Sequence, residues 1–316
     1  MEDRGSRHTR DGYADALLEL GESNPHVVVM DADLAVSTQT YRFKEKFPGR
    51  FFDCGVAEQN LMGTAAGLAT TGKIVFASTF AVFAAGRAYD QVRNTIAHSK
   101  LNVKICATHG GVSVGEDGSS HQSVEDIALM RVIPNMKVIV PADYYEAREA
   151  TRAAAEIPGP IFIRLGRMKA PVIFDEGYAF EFGRARVLRP GRDISIFACG
   201  LMTYQSLLAA EILEGEGLDA EVVHLSTIKP LDAAGVLTSV KKTGRALSVE
   251  EHSVIGGLGG ALAELLSTEM PVSLQRMGVP DAFGTSGTSE ELLEHFSLTP
   301  RHIAQVAMDE TRRPRS

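Results

Sequence analysis

The sequence THGGVSVGEDGSSHQ, residues 108–122, is a glycine-rich segment between two regular elements. The apolar run Val103–Thr108 leading into it predicts a strand, and residues 124–130 after it predict a helix. In α/β sheets, ligands bind at such loops, outside the carboxyl ends of the strands. The loop holds two histidines and two carboxylates among four glycines, groups that can move protons close to a ligand. A mobile surface loop is the competing interpretation. The length of the segment and its mixture of groups favour a ligand site.

Outward from this loop, short apolar runs alternate with helical stretches, which predicts an α/β fold with mainly parallel strands. Residues 169–192 interrupt the alternation because they are rich in proline and glycine and have few periodic signals. A second α/β unit begins at the predicted strand Ile194–Ala198. We therefore predict two domains, residues 1–175 and residues 186–316. Other predicted strands are 27–30, 74–77, 137–140, 161–165, 220–225, 246–249 and 272–276. Predicted helices are 13–20, 59–70, 89–98, 145–156, 206–214, 261–266 and 289–296.

Composition excludes several classes of protein. A formal net charge of -8 argues against a nucleic-acid binder that works by neutralising phosphates. The three cysteines, Cys54, Cys106 and Cys199, are far apart and form no Cys-x-x-Cys pair, so neither a metal knuckle nor a redox motif is supported. A reducing cytoplasm is the simplest location for such a chain. The polar N-terminus and the lack of a long apolar run predict neither a signal peptide nor a membrane span.

Three further motifs each have an ordinary structural interpretation. Glu58, in the predicted first turn of a helix, is the kind of acid that stabilises a helix dipole. Phe80 and Phe83, just past a strand, have a spacing that is more often found in a core than in a cofactor platform. The run 255–260 looks like a phosphate loop, but it lacks the P-loop lysine and the G-x-G-x-x-G spacing. We predict that this run is a tight, closely packed strand-to-helix turn.

Taken in order, these segments resemble the C-terminal half of transketolase over nearly the whole chain. The strings that carry the resemblance are VAEQN at 56–60, STF at 78–80 with Phe83, GEDG at 115–118 with HQ at 121–122, TIKPLD at 227–232, and EEHS at 250–253. The resemblance implies a thiamine-diphosphate-binding fold. A pyrimidine-binding domain would be followed by a smaller α/β domain like the C-terminal domain of transketolase.

The resemblance also assigns roles at the cofactor and the sugar. Glu58 would bind the aminopyrimidine of thiamine diphosphate and activate it. Phe83 would stack on that ring, with Phe80 close by, although Gly86 stands where the family often has a tyrosine. His121 would be a catalytic residue that, with Asp117, contacts the ketose hydroxyls near the reacting carbon. The family's substrate-phosphate anchors match four residues in this chain: Arg10, Ser37, His109 and Arg164.

One family motif is missing from the chain. The diphosphate- and metal-binding motif of the family begins with Gly-Asp-Gly, and this sequence contains no Gly-Asp-Gly. The resemblance therefore implies a split enzyme that is active only with an N-terminal transketolase subunit. That partner would hold Mg²⁺ (or Ca²⁺) and the diphosphate and would share the thiamine diphosphate, in an α2β2 heterotetramer. We expect no metal ligand in this chain, and a structural, interface-forming C-terminal domain.

Three alternatives stay open at this point. A beta-type subunit of a 2-oxo acid dehydrogenase should lack the string at 115–122 and the phosphate anchors. A 1-deoxyxylulose-phosphate synthase resembles the run RAYDQ at 87–91, but it is normally one chain and lacks the counterpart of His109. A non-catalytic regulatory homologue would have no chemical need for Glu58, Asp117 and His121. The sequence leaves open the donor, the acceptor, the pathway and the choice between a phosphorylated and a sulfonated sugar.

Overall fold

The computed structural model describes residues 4–313. Residues 1–3 of the first predicted domain and residues 314–316 of the second lie outside it. The strands are β1 (Ser6–His8), β2 (Val27–Asp31), β3 (Phe51–Asp53), β4 (Ile74–Phe80), β5 (Val103–Thr108), β6 (Lys137–Ile139), β7 (Ile161–Arg164), β8 (Lys169–Pro171), β9 (Arg186–Arg189), β10 (Ile194–Ala198), β11 (Ala220–His224), β12 (Thr227–Lys229), β13 (Ala246–Ser253) and β14 (Leu274–Val279). The helices are α1 (Thr9–Ser23), α2 (Ala35–Thr38), α3 (Tyr41–Lys46), α4 (Glu58–Thr70), α5 (Asp126–Val132), α6 (Tyr144–Glu156), α7 (Met202–Gly215), α8 (Ala233–Thr243), α9 (Leu258–Glu269), α10 (Ser289–His295) and α11 (Pro300–Arg312).

The larger sheet has seven strands in the order β12-β6-β7-β5-β4-β2-β3, and all of its pairs are parallel except β12 with β6. Every residue of β2 and β5 is buried, as expected for parallel strands with helices on both faces. Helices α1 and α6 cover one face, and they pack so closely that a side chain at Gly12 would lie 2.2 Å from the Tyr144 carbonyl oxygen. The second face carries α4 and the segment that follows β4.

The smaller sheet has five strands in the order β14-β13-β10-β11-β9, with β9 antiparallel to the rest. The predicted α/β class with mainly parallel strands is therefore confirmed. The predicted helix at 89–98 differs in kind, because Gln91–Ala97 is π-helical, as is Phe83–Arg87. The sequence patterns missed the short helices α2 and α3, the helices α8 and α11, and the short strands β1, β8, β9 and β12. No helix within residues 4–313 has the length and apolarity that a membrane crossing needs.

The second half of the chain completes the first sheet. Strand β12 pairs with β6, and Lys229 at its end donates from Nζ to the Arg131 and Ile133 carbonyl oxygens at 2.8 and 2.6 Å. The pKa of Lys229 is lowered from its usual value by burial and by the neighbouring charge of Arg131. The two halves of the chain are thus joined by backbone pairing as well as by side-chain hydrogen bonds.

A buried arginine, Arg164, also joins the two halves. The Arg164 Nε donates to the Asp126 Oδ2 at 2.7 Å, and the Arg164 Nη2 donates to the carbonyl oxygens of Ser123 and Glu251 at 3.2 and 2.8 Å. Arg164 is 6% exposed and Asp126 is fully buried. Because Glu251 lies on β13, this guanidinium bridges β7, α5 and the smaller sheet. Two charges out of water are tolerated here only because they neutralise each other.

We predict that Asp126→Asn lowers the free energy of unfolding by about 3 kcal/mol, because it leaves the Arg164 charge buried without its ionic partner. Urea unfolding of the chain measures this loss. The matched control is Asp309→Asn, which removes a carboxylate that pairs with Arg312 on the surface and should change stability by less than about 0.5 kcal/mol. Equal effects of the two substitutions would contradict the structural role of Asp126.

Candidate active site

Four neighbouring parallel strands, β5, β4, β2 and β3, end along one edge of the larger sheet and carry predicted site residues. Ser37 lies in the segment that follows β2, Glu58 follows β3, Phe80 ends β4, and His109 directly follows β5. Residues distant in sequence meet here because parallel strands present all their carboxyl ends at the same edge. A cleft of about 520 Å³ opens at this edge, lined by His8, Arg10, Val36, Ser37, Gln39, Phe80, His109, Asp117, Arg167 and Met168.

Hydrogen bonds to Asp31 hold the segment that carries Ser37 in place. Sequence patterns did not identify this buried residue. Asp31 Oδ1 accepts from the Leu34 backbone N–H at 2.6 Å, and Oδ2 accepts from the Thr38 and Thr40 hydroxyls at 2.7 and 2.9 Å. Burial, the largest effect, raises the pKa of Asp31 to about 6, although these hydrogen bonds oppose the shift. From the cleft side, the Arg10 Nη1 donates to the Ser37 carbonyl oxygen at 3.0 Å.

His109 is an uncharged imidazole beside two arginines. It is 3% exposed, and its ring stacks on Phe80 with 3.8 Å between ring centroids. Burial lowers the pKa of His109 to about 3, and the positive charges of Arg10 and Arg167 add to the effect. A neutral ring can bind an anion or a hydroxyl by hydrogen bonding without adding charge. Its Nδ1 is already hydrogen-bonded to the Thr108 hydroxyl at 2.9 Å.

The prediction that Arg164 is a phosphate anchor needs correction. Its guanidinium is used by Asp126 and two carbonyl groups inside the protein, and it does not line the cleft. Arg167 lies in the cleft instead, with Nη1 3.1 Å from the Glu116 Oε2 and Nε 3.6 Å from the Asp117 Oδ2. The physical reason is position: Arg164 is still within the buried strand β7, whereas Arg167 is in the loop beyond its carboxyl end. The sequence did contain a signal for Arg167, because it is the first arginine after the predicted strand 161–165.

Glu58, Phe83 and His121 form the neighbouring part of the site. Glu58 is the first residue of α4, is 1% exposed, and accepts a hydrogen bond from the Arg87 Nη1 at 3.0 Å. Phe83 stacks with Phe80 at 5.9 Å between centroids, and the His121 ring lies edge-on to Phe83 at 5.4 Å. A buried carboxylate beside an aromatic face suits a planar, hydrogen-bonding heterocycle. Arg87 was not among the predicted site residues.

Among residues 4–313, the structure contains no cluster of three or more His, Cys, Asp or Glu side chains suited to a metal ion.

The second half of the chain positions the loop at 110–122. The Ser113 N–H donates to Glu251 Oε1, the Ser289 hydroxyl donates to the Ser113 carbonyl oxygen at 2.7 Å, and the Gln122 amide donates to the Thr285 carbonyl oxygen at 2.8 Å. At Gly111, where φ is +89°, a side chain would lie 2.3 Å from the Glu251 carboxyl carbon. The C-terminal region thus supports the loop that carries Asp117 and His121.

The glycine run at 255–260 binds a carboxylate of the protein itself. Glu250 accepts from the backbone N–H groups of Leu258 and Gly259 at 2.6 and 2.8 Å, at the start of α9. A side chain at Gly257 would lie 2.1 Å from the Glu250 Oε2. The prediction of a tight, closely packed turn is confirmed, and the helix N-terminus is already occupied by an anion.

This chain is similar to transketolases along most of its length. Residues 6–172 match the family "Transketolase, pyrimidine binding domain", and residues 183–303 match "Transketolase, C-terminal domain". The chain is 48% identical over 307 residues to the "Putative transketolase C-terminal section" of Methanocaldococcus jannaschii, covering 96% of each chain. It is 44% identical over 304 residues to the "6-deoxy-6-sulfo-D-fructose transketolase subunit SqwH" of Clostridium sp. (strain MSTE9), covering 96% of this chain and 94% of that protein. The solved structure "Split gene transketolase, inactive beta4 tetramer" superposes with a TM-score of 0.89 at 50% identity, covering 97% of this chain and 99% of that one.

We predict that Asp31 makes stability depend on pH. Its raised pKa means that the folded chain binds this proton more tightly than the unfolded chain, so its contribution is present at low pH and is lost as pH rises through about 6. Between pH 4.5 and 7.5, the wild type should lose about 2 kcal/mol of unfolding free energy relative to Asp31→Asn. Urea unfolding at both pH values measures the difference, with Asp281→Asn, which removes an exposed carboxylate, as the control. Parallel pH curves for the wild type and Asp31→Asn would contradict the prediction.

Proposed function

We propose that this chain, which belongs to the transketolase family, is the C-terminal subunit of a split transketolase and acts with an N-terminal partner subunit. With that partner it would transfer a two-carbon ketol unit from a ketose phosphate to an aldose phosphate. The observation that carries the proposal is the pairing of two features at one sheet edge. Glu58 and Phe83 offer a cofactor-ring site, and beside them lies a cleft with two arginines.

The residues present fit one half of thiamine diphosphate. When bound, this cofactor supplies a thiazolium carbon that becomes a nucleophile and stabilises a carbanion. Glu58 would share a proton with a nitrogen of the aminopyrimidine, and Phe83 would cover a face of that ring. Gly86, where the family often has a tyrosine, leaves open space, because a side chain there would meet nothing within 4 Å. The platform is therefore smaller on that side.

The cleft residues fit the phosphorylated sugar. Arg10, Ser37 and His109 are three of the predicted anchors, and Arg167 takes the role that the sequence assigned to Arg164. Each of the two guanidinium groups can bind two phosphate oxygens at once. The neutral ring of His109 can add a hydrogen bond to the phosphate without adding charge. Asp117 and His121 would contact the ketose hydroxyls near the reacting carbon, where His121 can move a proton. A terminal sulfonate presents similar oxygens, and one relative carries a sulfosugar in its name.

The partner subunit would supply what this chain lacks. In this proposal it holds Mg²⁺ (or Ca²⁺), binds the diphosphate and completes an α2β2 heterotetramer. Exposed apolar side chains support docking at the site edge, because Val36 follows β2, and Phe52 and Val56 flank the end of β3. A related structure is described as an inactive beta4 tetramer, which agrees with a need for the other subunit. Three free cysteines suit the cytoplasmic location that we propose.

We expect that the purified chain alone turns over no ketose phosphate and that adding the N-terminal subunit, thiamine diphosphate and Mg²⁺ restores activity. In that assembly Glu58→Gln should lower kcat by about 10²- to 10⁴-fold, because the amide cannot take part in the same proton sharing. A coupled assay of aldose phosphate release measures this. The control is Glu45→Gln, an exposed glutamate away from the cleft. Turnover by the single chain would refute the split enzyme, and near-normal kcat in Glu58→Gln would refute the role of Glu58.

Arg167→Met should raise KM for a phosphorylated ketose about 10- to 100-fold and change kcat little, because a charged hydrogen bond to phosphate is made in ground and transition states alike. The same variant should use an unphosphorylated ketose as well as the wild type does, and that donor is the internal control. Comparing a sulfonated with a phosphorylated ketose measures which anion the cleft prefers. Equal losses with phosphorylated and unphosphorylated donors would reject the anchor role of Arg167.

A further inference from the structure

Arg87 contacts both a carboxylate and an aromatic face, the two groups that would surround a bound planar ring. Its Nη1 donates to the Glu58 Oε2 at 3.0 Å, and its guanidinium carbon lies 4.5 Å from the centroid of the Phe83 ring. These are the two partners that the proposed function gives to the aminopyrimidine: a carboxylate that hydrogen-bonds its edge and an aromatic face against its plane. The guanidinium is itself planar, and it donates and stacks in the same way.

We propose that Arg87 holds the place of the aminopyrimidine before the cofactor binds, and that it must swing out for the ring to enter. Arg87 is thereby a residue that sets cofactor affinity. The inference rests on the proposed function, because it assumes that a pyrimidine ring occupies this position. It goes further in assigning a role to a side chain that no part of that proposal uses.

The buried carboxylate explains why a placeholder is needed. Glu58 is 1% exposed, and within residues 4–313 Arg87 is the single cation in ion-pair contact with it. A carboxylate out of water without a partner is costly, so the empty site is more stable when a cation covers it. The helix N-terminus at Glu58 helps, but a dipole replaces only part of a full charge.

The surroundings of Arg87 give it room to leave. Its side chain is 50% exposed, so the swing ends in water rather than in a packed interior. Gly86 beside it has open space around its α-carbon. The segment Phe83–Arg87 is a π-helical turn, closed by the Ala88 N–H on the Phe83 carbonyl oxygen at 3.2 Å, which spaces Phe83 and Arg87 for contact on one face. π-helical turns are frequent at functional sites.

Competition gives the sign of the effect. A half-exposed ion pair is weak, so the cofactor has to displace only a modest interaction. Removing Arg87 should therefore tighten cofactor binding by about two- to fivefold rather than weaken it. A residue that stayed on Glu58 to orient it would give the opposite sign.

The first experiment uses the chain assembled with its N-terminal subunit and stripped of cofactor. Equilibrium binding of thiamine diphosphate in the presence of Mg²⁺ is measured for the wild type and for Arg87→Met, which keeps the length of the side chain and its contact with Phe83. We expect Kd to fall about two- to fivefold. The control is Arg93→Met, an exposed arginine of the next helical turn whose guanidinium contacts Asn94, for which Kd should not change. An unchanged or raised Kd in Arg87→Met would overturn the proposal.

The second experiment needs neither partner nor cofactor. Urea midpoints of the isolated chain are compared for the wild type, Arg87→Met, Glu58→Gln and the double variant. Arg87→Met should lower the midpoint in the wild-type background and leave it nearly unchanged in Glu58→Gln. Additive effects would mean that Arg87 does not cover the carboxylate, and the proposal falls. If this coupling is found but no variant of the assembly binds thiamine diphosphate, the proposed function has failed, and the cofactor role of Arg87 fails with it.

Discussion

The parallel order β7-β5-β4-β2-β3 is the constraint on which the rest of this site depends. Each of these strands runs in the same direction, so the residues that follow them converge on one edge although they are spread from Ser37 to Arg167 along the chain. Strands β2, β5 and β7 are buried along their whole length and cannot shift without exposing the core. A side chain just past the end of a strand is therefore positioned by the sheet and can face a ligand, whereas a side chain within the strand packs against buried groups of the protein. Arg167 and Arg164 show the two outcomes three residues apart.

A second constraint comes from the C-terminal half. It adds strand β12 to the larger sheet, buries the Arg164–Asp126 pair, and holds the glycine-rich loop through Glu251, Ser289 and the Thr285 carbonyl group. A loop with four glycines has a large conformational freedom to lose. Hydrogen bonds from the C-terminal half restrict the conformation of this loop, which its own glycine-rich sequence would leave free. The C-terminal half is thus a support for the site as well as a packed domain.

The electrostatics of the edge divide it into two regions. Around His109, burial and two arginines favour a neutral imidazole and create an anion-attracting cleft. Around Glu58, the buried carboxylate pairs with Arg87, whose guanidinium lies against the face of the Phe83 ring. A ligand with an anionic end and a planar, proton-sharing heterocycle nearby matches this division. Phe80 connects the regions, because it stacks with both Phe83 and His109.

The sequence by itself determined the α/β class, the strands Val103–Thr108 and Ile194–Ala198, the tight turn at 255–260, and the loop that carries Asp117 and His121. These follow from periodicity and glycine placement, which act over short stretches of chain. It also brought forward Arg10, Ser37, His109, Glu58 and Phe83 through the family resemblance. Short elements such as α2, α3 and β12 were missed, since three to six residues carry too little periodic signal.

Only the tertiary structure decided which arginine faces the cleft, what lies beneath Ser37, and what covers Glu58. Asp31, Arg167 and Arg87 have no distinctive local pattern. Their roles come from the partners that folding brings to them, and those partners are distant in sequence or across the sheet. Local sequence fixes what a segment can form, and the packing of the sheets fixes whether a charge meets water, a ligand or another charge.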